Sequence, residues 1–238
     1  MKLWAVALVL TLASGAMAAG PVRLSQPANA SAFPRIAAPA TPTTARINAA
    51  LAALDRRWAG YARDCKAGGK DQEATRKVDV TMTGPRFLSL VAHDEEFCGG
   101  AHPDNSTLAL VYDLKSGRLV DWKMLLGPRL VTNASKETVI DGSPIGVVRS
   151  PELQRLYLRA LRKAPDYDRA WWDQCSETLS DPGLEFVLWP DAKTRGLVAE
   201  PQVVHVVAPC AEDVSIPAAD LRQAGASPEL LTALAAGR

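Results

Sequence analysis

Four cysteines constrain the fold of this chain more than any other feature of its sequence. They are Cys65, Cys98, Cys175 and Cys210. An even number of cysteines in an exported protein predicts disulfides, and four cysteines allow three pairings. The separations 65 to 98 and 175 to 210 are similar, and each brackets a predicted pair of strands. We therefore predict the disulfides Cys65–Cys98 and Cys175–Cys210. The absence of Cys-x-x-Cys spacing argues against a redox site and a thiolate zinc site.

The first 18 residues predict export. Met1-Lys2 is a short positive start, residues 3–12 form an apolar run, and Ala16-Met17-Ala18 is a small-x-small cleavage site. This order is typical of a secretory signal peptide. The apolar run is shorter than the roughly 20 residues that a membrane span needs. We therefore expect a periplasmic or secreted protein that begins at Ala19 and has no membrane span.

Charge and composition narrow the classes of partner. The chain has 27 Lys and Arg residues against 26 Asp and Glu residues, and removal of Lys2 with the signal leaves 26 against 26. A net charge of zero argues against binding to nucleic acid or to an anionic membrane by bulk electrostatics. Residues 19–43 are rich in proline and small residues and show no hydrophobic period, so we expect a linker without helix or strand. Residues 44–238 are expected to form one domain.

The hydrophobic pattern of this domain predicts a mixture of helices and consecutive strands. An apolar stripe over residues 44–65 predicts an amphipathic helix. Further helices are predicted near residues 151–161 and 221–234. Strands are predicted at 78–83, 87–91, 107–113, 118–122, 184–189 and 203–207, with turns at Gly84-Pro85, at residues 114–117 and within 191–196. Because strands follow one another along the chain, we predict an α+β fold with a mainly antiparallel sheet packed against helices.

Several short motifs resemble one known family. They are Phe87-Leu88-Ser89-Leu90, Gly99-Gly100-Ala101-His102, Asp113-Leu114-Lys115-Ser116-Gly117, Gly183-Leu184-Glu185-Phe186 and the segment 214–221. Over about residues 44–225 the chain resembles the extracytoplasmic domain shared by lysozyme-binding anti-sigma factors and the non-catalytic part of certain peptidoglycan deacetylases. The resemblance implies a cell-envelope binding role, with a lysozyme-type protein or peptidoglycan as partner. The four cysteines, and the expected lack of a transmembrane helix, a sigma-factor-binding segment and a deacetylase domain, depart from that family. Anti-sigma signalling and deacetylation are therefore not expected.

Two groups of residues are candidates for binding. Gly99 and Gly100 give access to positive φ, so a tight turn there can present His102 to a ligand or partner. The alternative is a structural turn whose histidine packs or caps. Trp171 and Trp172 are adjacent and cannot share one face of a helix, so one of them is a candidate to stack on a sugar or anchor a partner. The alternative for both is core packing.

No catalytic or cofactor motif is assembled in the sequence. The chain has neither a Gly-x-Ser-x-Gly elbow nor a phosphate-binding glycine loop, and its three histidines lack metal-ligand spacing. We therefore expect no cofactor and no metal, and we predict a non-catalytic binding protein of the cell envelope. One alternative is a small envelope hydrolase that uses His102 with Asp94 or Glu96. The other is a structural envelope protein without a ligand.

Overall fold

The computed structural model describes residues 21–37, 41–134, 137–138, 144–165 and 167–238. The predicted signal peptide lies outside these residues. Within the described ranges, no helix combines the length and the apolar character needed to cross a membrane.

The proline-rich segment after the predicted signal pairs as strands. Strand β1 (Leu24–Ser25) lies antiparallel to β2 (Arg35–Ile36), and helix α1 (Pro42–Gly68) follows. The prediction of no strand here is therefore wrong. The reason lies in α1: Asp55 accepts a 3.1 Å hydrogen bond from the Phe33 amide, and the Asn48 side chain bonds both backbone groups of Ile36. Phe33 and Ile36 are buried against the helix, so long-range contacts fix a segment that has no pattern of its own.

The first sheet is antiparallel, as predicted. It contains β3 (Glu73–Met82), β4 (Phe87–Phe97), β5 (Asp104–Asp113) and β6 (Arg118–Leu119), paired in that order. Both faces of β4 are covered, which explains its continuous apolar start. Leu88 and Leu90 pack with α1, whereas Phe87 and Val91 belong to the larger core on the other face.

The second half of the chain forms another antiparallel sheet. The strands of this half are β7 (Asn133–Ala134), β8 (Glu137–Thr138), β9 (Pro144–Ile145), β10 (Val148–Arg149), β11 (Glu185–Asp191), β12 (Gly196–Gln202) and β13 (Val214–Pro217). Five of these pair in the order β13-β12-β11-β10-β7, and β8 pairs with β9. The large core lies between this sheet, the first sheet and the helices of the second half.

Those helices are α2 (Trp122–Leu126), α3 (Pro151–Leu161), α4 (Arg169–Leu179), α5 (Ala218–Ala224) and α6 (Pro228–Ala236). The prediction that Trp122 ends a strand is wrong, because Asp121 caps a helix there by accepting a bond from the Lys123 amide. The predicted strand at 203–207 is also wrong. β11 begins at Glu185, opposite Gln202, so residues after Gln202 have no partner on β11, and His205–Cys210 forms a 3-10 turn instead.

The structure confirms an α+β fold in a single domain with mainly antiparallel sheets. It also confirms both predicted disulfides, Cys65–Cys98 and Cys175–Cys210. The first joins the end of α1 to the end of β4. The second joins α4 to the 3-10 turn. Each disulfide therefore holds a connecting segment against a helix.

Candidate functional site

Three segments that are far apart in sequence meet on one surface of the molecule. They are the turn between β4 and β5, the 3-10 turn His205–Cys210 and helix α4. We call this surface the histidine face and define it by His102, Trp171, Val204, His205 and Val206. The rings of His102 and His205 stack, with centroids 5.9 Å apart and planes inclined by 22°. The Trp171 indole reaches the same 3-10 turn by a hydrogen bond to Pro209.

The turn that carries His102 depends on its two glycines. Gly99 has φ +94° and Gly100 has φ +114°, a region that residues with a side chain rarely adopt. A Cβ atom on Gly99 would also lie 2.7 Å from the Nε2 atom of Gln72. Cys98 precedes the glycines and is bonded to Cys65, so the turn is fixed to the end of α1. The result is a rigid turn on which His102 is exposed.

Two exposed valines lie at the start of the 3-10 turn: Val204 is its N-cap residue, and Val206 is within the turn. Val204 is 69% exposed and Val206 is 81% exposed. The same turn is anchored to α4 twice, by the Cys175–Cys210 disulfide and by the 2.9 Å bond from Trp171 Nε1 to the Pro209 carbonyl oxygen. The apolar side chains are therefore held in solvent by a segment that has little freedom to fold them inward.

The two tryptophans do not form one surface. Consecutive helical residues project about 100° apart, and here Trp171 turns toward the 3-10 turn while Trp172 lies under the guanidinium of Arg162 at 4.8 Å. Both indoles are half-buried and pack against the large core. Of the pair, only Trp171 belongs to the histidine face.

An acidic cleft borders the histidine face beside His205. It has a volume of about 410 Å³, and its acidic lining residues are Glu73, Glu95, Glu96 and Asp104. The Oδ1 atom of Asp104 lies 3.9 Å from Nδ1 of His205. A hydrogen bond with Glu96, together with burial of the hydroxyl, raises the pKa of Tyr61 to about 12. The cleft therefore presents negative charge next to the exposed histidines and valines.

One of the two acids proposed as catalytic partners for His102, Asp94, is engaged elsewhere. Asp94 is buried and forms a bidentate ion pair with Arg76, with hydrogen bonds of 2.6 and 2.5 Å. The Arg76 guanidinium in turn lies 4.0 Å above the Trp58 ring. Among the residues that the structure describes, no ion pair joins His102 to Asp94 or to Glu96.

Sequence reasoning missed one pair of carboxyl groups. Ala199 pairs with Val214 in the β12–β13 ladder, so the register places Glu200 opposite Asp213. Burial, and secondarily the Asp213 carboxylate, raises the pKa of Glu200 to about 8. Desolvation of its carboxyl also raises the pKa of Asp213, although the residue as a whole is exposed. The two acids stand thirteen positions apart, and only the strand register, which the sequence pattern does not give, could have revealed the pair.

Comparison with known proteins does not assign the chain to a family. No protein-family model matches the chain, and no curated protein matches it. Within the described part of the chain, no group of three or more His, Cys, Asp or Glu residues is placed to hold a metal ion. The histidine face therefore presents exposed apolar and imidazole side chains beside the acidic cleft, on turns that two disulfides hold in place.

Proposed function

We propose that this protein is an exported, non-catalytic binding protein of the cell envelope that contacts a protein partner through the histidine face. The observation that carries the proposal is the exposure of Val204 and Val206 on a turn fixed by a disulfide. Exposed apolar side chains on loops supported by a rigid scaffold are typical of binding sites.

Rigidity supports a binding role for physical reasons. Association costs conformational entropy wherever a loop has to be ordered, and a pre-organised loop avoids most of that cost. The turn at Gly99 and Gly100 is fixed by Cys65–Cys98, and the 3-10 turn is fixed by Cys175–Cys210. Both parts of the histidine face are thus already ordered before a partner arrives.

The charge next to the face indicates the chemistry of the partner. The acidic cleft with Glu73, Glu95, Glu96 and Asp104 complements a basic protein surface. A basic partner agrees with the family resemblance, which implies a lysozyme-type muramidase. Peptidoglycan is the second candidate partner under the same resemblance.

Export is part of this proposal. Disulfides persist in oxidising compartments and are rare in the reducing cytosol. The two disulfides therefore support a periplasmic or secreted location, in agreement with the signal-like sequence of residues 1–18. The engagement of Asp94 by Arg76 and of Glu96 by Tyr61 argues against the hydrolase alternative, because both candidate acids have other partners.

The test is capture of a purified lysozyme-type muramidase by the immobilised protein with both disulfides intact. Replacing Val204 and Val206 together by serine is expected to weaken binding by about tenfold or more, because burial of a valine is worth about 1.5 kcal/mol or more and 1.4 kcal/mol corresponds to a factor of ten. Val80→Ser is the matched control, since Val80 is 41% exposed but lies on β3, outside the histidine face.

His102→Ala is expected to weaken capture and to leave the melting temperature unchanged, because His102 is exposed. Isolated peptidoglycan sacculi form the second arm of the assay. If the parent protein binds sacculi and the Val204 and Val206 variant does not, the histidine face remains the binding site, but the partner is peptidoglycan. Absence of binding to both probes, or capture that the double variant does not reduce, would overturn the proposal in favour of a structural role.

A further inference from the structure

A second cavity lies where the ends of the two sheets meet. It has a volume of about 290 Å³, close to the lower end of the range of about 300–1,000 Å³ in which ligand pockets fall. Its polar lining residues are His93, Asp94, Glu95, Asn105, Ser106, Thr107, Glu200 and Gln202. This cavity adjoins the acidic cleft, with which it shares Glu95 and Asn105, and its lining includes neither His102 nor the exposed valines Val204 and Val206.

The lining offers both hydrogen-bond donors and acceptors. Asn105 and Gln202 carry amides, and Ser106 and Thr107 carry hydroxyl groups. Some of these groups already form a network: the Nδ1 atom of His93 lies 3.3 Å from the Thr107 hydroxyl, and Glu200 is hydrogen-bonded to Thr107 and Gln202. The network holds the polar groups in place along one wall of the cavity.

The three acids in the lining differ in their surroundings. Glu95 is exposed, and its carboxyl oxygens can accept hydrogen bonds from hydroxyl groups of a ligand. Because the pKa of Glu200 is raised to about 8, its carboxyl is protonated at pH 7 and is able to donate a hydrogen bond. Asp94, which also lines the cavity, is paired with Arg76. Neither lysine nor arginine is among the described lining residues. Small apolar groups from Val203, Ala208 and Ala211 complete the walls.

We propose that this cavity binds one neutral, hydroxyl-rich ring, such as a single residue of a carbohydrate. A polyol presents hydroxyl groups that donate and accept, and these match the mixed amide, hydroxyl and carboxyl lining. The C–H face of the ring matches the small apolar walls. An anion finds neither lysine nor arginine among the described lining residues, whereas ring hydroxyl groups can donate hydrogen bonds to the carboxyl oxygens of Glu95 and Glu200. The inference goes beyond the proposed function, since it concerns a small ligand in a cavity whose lining contains no residue of the histidine face.

The experiment is an amide NMR titration of the full chain with both disulfides formed. Glucose and N-acetylglucosamine are the neutral probes, and n-butylamine is the cationic probe. At millimolar concentrations either sugar is expected to cause saturable shifts centred on residues 105–107 and 200–203. The variant with Thr107→Val and Gln202→Leu is expected to bind about tenfold more weakly, because two hydrogen-bonding groups are lost.

Gln223→Leu is the matched control, since Gln223 is an exposed glutamine on α5 and far from the lining in sequence. Saturation by the amine but by neither sugar would overturn the proposal, and so would shifts centred elsewhere or a double variant that binds as the parent does. Muramidase capture should be unchanged in the double variant. A failure of the cavity proposal is thereby distinguished from a failure of the histidine face.

Discussion

The indole Nε1 of Trp171 donates a 2.9 Å hydrogen bond to the carbonyl oxygen of Pro209. This bond lies next to the Cys175–Cys210 disulfide, so helix α4 holds the 3-10 turn at two neighbouring positions. Residues after Gln202 have no pairing partner on β11, so the β11–β12 ladder does not hold the 3-10 turn. Its shape, and with it the exposure of Val206, therefore depends on α4.

Removal of the second disulfide is expected to destabilise the protein. The variant with Cys175→Ser and Cys210→Ser opens a loop with a sequence separation of 35, and the chain-entropy model predicts a loss of about 4 kcal/mol in the free energy of unfolding. Urea denaturation measures the loss. The matched variant at Cys65 and Cys98, with a separation of 33, should lose a similar amount. Limited proteolysis near residues 203–211 should increase only in the former variant, and equal cleavage in both would contradict the anchoring role.

Gly99 and Gly100 are expected to respond differently to alanine. Both have positive φ, so each substitution costs about 1 kcal/mol or more in backbone strain. A Cβ on Gly99 also approaches Gln72, whereas a Cβ on Gly100 has no neighbour within 4 Å. Gly99→Ala should therefore lower the unfolding free energy more than Gly100→Ala. Thermal denaturation of the two variants checks the order, and equal losses would show that Gln72 moves aside without cost.

Replacing only one partner of the Arg76–Asp94 ion pair is expected to lower the free energy of unfolding strongly. Arg76 and Asp94 side chains are 6% and 10% exposed, so Asp94→Asn leaves a buried guanidinium without its counter-charge. Loss of one partner of a buried pair costs about 3–5 kcal/mol. Asp79→Asn is the control, because Asp79 is an exposed acid on the same sheet. Urea denaturation at neutral pH should show a large loss for Asp94→Asn and a small one for Asp79→Asn.

Glu200 is expected to make stability depend on pH. The unfolded chain loses this proton near the ordinary pKa of 4.5, whereas the folded protein retains it until about pH 8. Between these values the folded state binds more protons, so stability falls as pH rises, with a slope of up to about 1.4 kcal/mol per pH unit. Glu200→Gln keeps a neutral hydrogen-bonding group and should flatten this slope between pH 5 and 8.

The measurement is urea denaturation at several pH values, with Glu212→Gln as control because Glu212 is exposed and adjoins Asp213 in the chain. The control should keep the slope of the parent protein. A parent protein whose stability rises over this pH range would contradict the assignment. So would a Glu200→Gln variant with an unchanged slope.

Local patterns were sufficient wherever neighbouring residues decide the structure. Ser150-Pro151-Glu152 predicted the start of α3, where the Ser150 hydroxyl accepts a bond from the Leu153 amide. The hydrophobic pattern gave the wrong element at Trp122. An apolar residue directly after a strand is compatible both with continuation of the strand and with the start of a capped helix. The pattern also failed at residues 203–207, whose valine-rich composition suits a strand but which lie beyond the first residue of the antiparallel partner β11.

The sequence alone determined the α+β class, most element positions and both disulfides, since periodicity, turn residues and cysteine spacing are local or pairwise properties. Only the tertiary structure decided that Phe33 is buried beneath α1, that His102 stacks on His205, and that Glu200 faces Asp213. These contacts join residues between thirteen and about a hundred positions apart. Strand register and sheet packing set such distances, and neither leaves a periodic signal in the chain.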